Sequence, residues 1–343
     1  MERINAAIAR CKESIRGLCL GFGLLTLPVW GTLAQKNKAE AVSAKATLVI
    51  LDTDMDSDVD DVGALAMLHA YEQQGKARIL GVIVTSDERY SAACTDAINT
   101  YFGRGDIPIG VSQTDSLTAF SKYTRQISEE FPHRFKQGVL PENSTAVYRR
   151  LLAEAPDSSV VIITIGHLTS FSRLLDSGPD SFSPLHGTDL VAQKVKKWSC
   201  MGGKYPEGKE ANFYRPDPAS TVNSMSKWTL PVVFAGWELG NLIVTGGPEF
   251  RSAARKESPV YRSYELYNGF AGRASWDQIS VLEGVSGFSP WFRLVSDGHC
   301  VVAEDGSNRW LPPANHTHGY LTLNVSAEEV RKVIEGLMLS AKP

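Results

Sequence analysis

Cysteine is scarce in this chain: five in 343 residues, of which only Cys94, Cys200 and Cys300 lie beyond position 34. Three thiols so widely spaced make no disulfide framework, and no pair has the spacing of a zinc site. An excess of positive charge is also missing. Lysine and arginine number 35 against 38 aspartates and glutamates, a net charge of −3. Such a balance leaves no electrostatic footprint for nucleic acid or an anionic membrane. It points instead to a small neutral molecule, or a cation, as the partner. Internal repeats are absent, which excludes a repeat array. Long apolar runs are absent too. The most apolar stretch, 18–33, is shorter than the roughly 20 residues of a membrane span and is interrupted by Gly and Pro.

That stretch reads better as the apolar region of a signal peptide. Arg3, Arg10, Lys12 and Arg16 precede it, and Thr32-Leu33-Ala34 offers a small-residue cleavage site. Residues 1–34 are therefore expected to be a signal peptide and 35–45 a polar, alanine-rich linker. Residues 46–343 form one domain, secreted or periplasmic, with an uncleaved anchor as the alternative. Without residues 1–34 the chain keeps 31 basic and 36 acidic residues, a net charge of −5. No membrane contact is expected after cleavage, and homo-oligomerisation is left open.

What the chain does have is a dense acidic stretch between two apolar ones. Leu48-Val-Ile-Leu51 reads as a buried strand. Six aspartates follow within ten positions, Asp52, Asp54, Asp56, Asp58, Asp60 and Asp61, and an apolar helical pattern starts at once. Asp60 and Asp61 then begin a helix, whose partly positive end favours acids. Carboxylates clamped this closely repel one another, and a hard cation with oxygen ligands holds them together most simply. The spacing is not that of an EF-hand. Counted from Asp54, position six is Val59 rather than Gly and position twelve is Leu65 rather than Glu. An Asp-x-Asp after a strand also suits phosphoaspartyl transfer, but that reading leaves the Asp60–Asp61 pair unexplained.

The remaining pattern alternates strands and helices. Strands are expected at 78–85, 107–111, 160–165, 196–201 and 232–235, and helices at 91–102, 146–155, 168–175 and 328–339. Residues 112–143 read as a polar, irregular connection, a lid or binding loop anchored by Phe120, Tyr123 and Phe131. Residues 298–310 read as a hairpin. This rhythm predicts an α/β fold, a mostly parallel central sheet covered by helices on both faces.

Asp52-Thr-Asp54, a loop, then Asp60-Asp61 before an apolar helix resembles the inosine/uridine-preferring nucleoside hydrolases. The usual loop is two residues shorter; a bacterial branch with the lengthened loop carries Gly where this chain has Asp56. Two further stretches strengthen the resemblance. Met201-Gly-Gly, a loop and Glu210-Ala-Asn212 is similar to the family's Met-Gly-Gly…Glu-Phe-Asn. Trp276-Asp277 stands where well-known members have His-Asp. Ile165-Gly-His-Leu-Thr is similar to the family's strand-end Gly-x-Leu-Thr, whose preceding residue gives a carbonyl to calcium.

The resemblance implies a nucleoside hydrolase-like fold and cleavage of an N-glycosidic bond in a ribonucleoside-like small molecule. It implies Ca²⁺ held by Asp54, Asp61, the Ile165 carbonyl and Asp277, with Asp54 as general base. Asp60 would hold the 2′-hydroxyl, and Glu210 and Asn212 the outer hydroxyls. Asp87, where the family has Asn, and Trp276 would contact substrate. Two other readings remain: a calcium-dependent sugar- or nucleoside-binding protein without catalysis, and a phosphohydrolase.

Overall fold

The computed structural model describes residues 46–112 and 118–343. The expected signal peptide and the linker lie outside them. The strands, in chain order, are β1 (Thr47–Thr53), β2 (Ala77–Val84), β3 (Ile109–Val111), β4 (Glu142–Asn143), β5 (Val160–Thr164), β6 (Val195–Met201), β7 (Glu207–Lys209), β8 (Val232–Ala235), β9 (Val244–Thr245), β10 (Arg273–Ala274), β11 (Phe292–Val295), β12 (His299–Val302), β13 (Ser307–Leu311) and β14 (His318–Leu323). Nine of them build one sheet in the order β11-β14-β8-β6-β5-β1-β2-β3-β4. Every neighbouring pair in it is parallel except β11 and β14. The β12–β13 hairpin expected at 298–310 is present, with β7 added on its edge.

Alternation along β1 explains the two layers of helices. Val49 and Leu51 point into one apolar cluster, shared with helices Asp60–Gln73 and Trp276–Ser286; Ile50 points into the other, shared with helices Ser144–Glu154 and Thr169–Asp176. The same alternation removes Asp52 from the acidic group. Its side chain lies on the Ile50 face, where the Tyr148 hydroxyl donates to Oδ2 at 2.7 Å. Burial there pushes its carboxyl up to about 8.

From β1 the chain moves outward through β2, β3 and β4, then returns to lay β5 on the other side of β1. The carboxyl ends of β1 and β5 therefore flank a topological switch point, the place where open α/β sheets bind ligands. The connection 112–143 is less irregular than its sequence suggests. It contains helix Thr124–Glu130, a 3₁₀ turn at Arg134–Gln137 and β4. The helix was hidden because only Thr124, Ile127 and Ser128 are buried, too few for an apolar stripe. Among the described residues no helix is long and apolar enough to cross a membrane.

Candidate active site

β1 delivers Asp54 to the sheet edge, and Met55 then turns with a φ of +48°. The loop runs on to Asp60, the first residue of its helix. Close contact with the end of β5 fixes Asp54. A Cβ added to Gly166 would lie 2.6 Å from the Asp54 backbone nitrogen and about 3 Å from its Cβ and Cγ. Only glycine permits this approach, which sets the Ile165 backbone beside Asp54.

The acids behind Asp54 are held individually. Asp61 Oδ1 accepts from the Thr53 hydroxyl and, at 3.1 Å, from the Met55 N–H. Asp60 Oδ2 accepts a long bond, 3.4 Å, from the Asp277 N–H at the start of helix Trp276–Ser286. Asp56 turns to Ser86, whose hydroxyl donates to Oδ2 at 2.6 Å. Asp58 pairs with Arg273. Carboxylate oxygens of Asp58, Asp60 and Asp61 lie within 4.8 Å of one another.

This packing is electrostatically unfavourable on its own. Burial, followed by the charges of Asp56, Asp61 and Asp58, pushes the Asp54 carboxyl well above the ordinary carboxylate range. Burial and the charges of Asp60, Asp61 and Asp54 do the same to Asp277, and burial with Asp58 and Asp61 does so to Asp60. Asp61 is pushed up to about 7, burial outweighing its hydrogen bond from Thr53. The donor set is all oxygen and hard, and the nearest side-chain partner of Asp54 is another acid. These residues fit a divalent cation of the Ca²⁺ or Mg²⁺ type.

A second part of the lining comes from the segment after β6. Glu210 caps the short helix Ala211–Tyr214. Its Oε1 accepts from Asn212 N–H at 2.8 Å and its Oε2 from Gly203 N–H at 3.0 Å. Burial pushes its carboxyl up to about 7. Asn212 Nδ2 donates to the Ile165 carbonyl at 3.2 Å, which ties this segment to β5. The Gly of Met201-Gly202 is required by packing, since a Cβ there would fall 2.2 Å from the Phe213 ring.

These segments border a cavity of about 550 Å³. It is lined by Asp54, Asp60, Asp87, Ile165, Glu210, Asn212, Trp276 and Asp277, so eight of the nine positions singled out from the sequence meet there. The ninth, Asp61, sits behind the lining against Thr53 and Met55. Trp276 is half-buried; its Nε1 donates to the Trp237 carbonyl at 2.9 Å, and the Arg273 guanidinium lies 4.6 Å from its ring centroid. That contact covers the ring and limits its use for stacking.

Sequence reading missed Arg273, Ser86, Arg215 and Trp237 as lining residues. Arg273 meets Asp58 across 215 positions of chain, and no local pattern announces such a pair. Phe120, expected as an anchor, is 51% exposed and lines the cavity instead. His167 also lines it; burial lowers its imidazole to about 4, so the ring is neutral near pH 7.

Solved structures share this architecture at low identity. The inosine-uridine preferring nucleoside hydrolase from Bacillus anthracis aligns with a TM-score of 0.63 at 15% identity, covering 85% of this chain and 99% of that one. The purine-preferring ribonucleoside hydrolase from Gardnerella vaginalis gives 0.65 at 14%, covering 85% and 98%. The type III effector protein XopQ, solved with adenosine diphosphate ribose, gives 0.63 at 16%, covering 90% and 99%. No curated protein matches by sequence. Residues 49–287 match the family described as inosine-uridine preferring nucleoside hydrolase, and with that match over most of its length the chain belongs to this family of hydrolases acting on N-glycosyl compounds.

Proposed function

We propose that the chain cleaves the N-glycosidic bond of a ribonucleoside or related N-riboside with water, assisted by Ca²⁺. The observation that carries this reading is the convergence of Asp54, Asp60, Asp277, Glu210 and Asn212 on one cavity. Asp54, Asp61, the Ile165 carbonyl and Asp277 would hold the ion. When bound, Ca²⁺ supplies positive charge that keeps these acids ionised, and Lewis acidity toward water and sugar hydroxyls.

The chain's own groups do the rest. Asp54 takes the proton of the attacking water as general base. Asp60 orients the 2′-hydroxyl, and Glu210 and Asn212 fix the outer hydroxyls, which places the sugar carbon against the water. By analogy with glycoside hydrolysis the transition state is oxocarbenium-like. Its positive charge develops between Asp54, Asp60 and Asp277 and is stabilised by them. Asp87 and Trp276 border the remaining space, where the base leaves.

Product chromatography after incubation with Ca²⁺ and a panel of nucleosides tests the reading. The panel should include adenosine diphosphate ribose, the compound bound in the XopQ structure. Free base plus ribose is expected. Ligand binding without turnover would favour a binding protein, and release of inorganic phosphate from nucleotides a phosphohydrolase. We also infer that residues 1–34 direct export, which sequencing the N-terminus of the exported protein would test.

A further inference from the structure

His167 replaces no acid of the site and is used by no step above, yet it lines the cavity and is only 8% exposed. Its wiring determines which ring nitrogen carries the proton. Asp217 Oδ2 lies 3.0 Å from the Thr169 hydroxyl, and the same carboxylate also takes the Ser220 hydroxyl and, at Oδ1, the Ser220 N–H at 3.2 Å. A carboxylate only accepts, so the single hydroxyl proton of Thr169 is given to Asp217. The Thr169 oxygen is then left as an acceptor for His167 Nδ1, 2.9 Å away. Nδ1 therefore bears a hydrogen, and in the neutral ring Nε2 carries the lone pair. Among the described residues nothing hydrogen-bonds Nε2, and it is not one of the polar atoms closed off from solvent. His167 is one of the residues that line the cavity.

We propose that His167 is a specificity-determining residue whose Nε2 accepts a hydrogen bond from the free 5′-hydroxyl of the riboside, favouring nucleosides over their 5′-phosphates. This rests on the hydrolase reading above. His167 follows Ile165 by two residues, and the Ile165 carbonyl is the partner of Asn212 Nδ2. That bond ties the strand end carrying His167 to the segment carrying Glu210 and Asn212, the residues assigned to the outer hydroxyls. A hydroxyl there meets an acceptor of fixed polarity. A phosphate, itself only an acceptor at its ionised oxygens, meets the Nε2 lone pair and the buried Glu210 carboxyl. Arg215 lies on the same stretch but at the exposed rim. Thr169 and Asp217 act through His167 as positioning residues.

The test compares kcat/KM for a nucleoside, its 5′-deoxy analogue and its 5′-monophosphate in the native chain, His167→Phe and Thr169→Val. The native chain should prefer the nucleoside by about tenfold to a hundredfold over the 5′-deoxy analogue, the range for one lost hydrogen bond in a closed site. In His167→Phe that preference should collapse, with the nucleoside losing the full factor and the analogue changing less than about threefold. Thr169→Val should reduce the preference partially, chiefly through KM, and serves as the second probe if the Phe variant does not fold. An equal loss on nucleoside and analogue, or an unchanged preference, would overturn the assignment while leaving the hydrolase reading intact. Monophosphate cleaved as fast as nucleoside by the native chain would overturn it too. No cleavage of any riboside by the native chain would remove the hydrolase reading, and this one with it.

Discussion

Two sets of carboxyls line the cavity, Glu210 and the aspartates after β1 with Asp277, and they are held in opposite ways. Glu210 is provided for by its own chain: two backbone N–H groups point at it, and the short helix it caps is built around it. Asp54 and Asp277 have no such provision. Their strongest neighbours are other acids, and the one guanidinium placed among them is paired with Asp58. Both groups are pushed upward by burial, so burial alone does not separate them. The difference is that Glu210 has an internal solution and the acid cluster does not. A carboxyl that the fold leaves unsatisfied points to a partner from outside.

The largest effect should follow from attacking the unsatisfied side. Asp54→Asn keeps the shape and removes the proton acceptor. Turnover of a nucleoside should fall by about two to four orders of magnitude, the usual share of a general base. A loss below tenfold would take Asp54 out of that role.

Removing the cation should expose the asymmetry in stability. A chelator is expected to lower the melting temperature and millimolar Ca²⁺ to restore it. Binding to the native state alone contributes roughly 2.7 kcal/mol at a hundredfold excess over the dissociation constant. An unchanged melting temperature after verified metal removal would count against the site.

The gap between the metal-loaded and metal-free proteins should also depend on pH. Asp61, at about 7, and Asp54, Asp60 and Asp277 lie above their unfolded value of 3.8. In the metal-free protein their contribution is intact below about pH 4 and is lost as pH rises through 7. Ca²⁺ requires them ionised and so binds more tightly at high pH. Both follow from the same protons: between pH 5 and 8 the metal-free protein loses stability that the loaded protein keeps, so the gap in melting temperature should be wider at pH 8 than at pH 5. A gap equal or wider at pH 5 would break the comparison.

The smallest effect is expected from Asp56→Asn. Its carboxylate is held by the Ser86 hydroxyl and the Ser57 N–H, and it is not one of the three acids, Asp58, Asp60 and Asp61, whose oxygens converge within 4.8 Å. Turnover should change by less than about tenfold. Damage equal to that of Asp54→Asn would mean that roles within the lengthened loop are assigned to the wrong acids.

The parts legible in the sequence were those set by short-range physics. The β-branched run of β1, the acids at its end and the helix they open follow one another along the chain, and each constrains the next. Met201-Gly202 and Glu210-Ala-Asn212 were readable only through the resemblance to the family; the packing of the one and the capping by the other are seen in the structure. Arg273 was not readable, because its meaning depends on Asp58, which is remote in sequence. His167 appeared in the sequence only as the middle residue of Ile165-Gly-His-Leu-Thr; its proton position depends on Asp217, fifty residues away. Asp52 shows the reverse failure. It sits among the acids in sequence, but strand alternation turns it to the other face of the sheet.

The contact between Gly166 and Asp54 changes how relatives of this chain should be compared. A chain could keep every carboxylate of the pattern and still lose the arrangement by gaining one methyl group, because alanine at this position cannot coexist with Asp54 where it stands. An inventory of acids would score such a chain as intact. The presence or absence of a side chain at the end of β5 is therefore a separate marker of competence, and a silent substitution there could divide working enzymes from lookalikes.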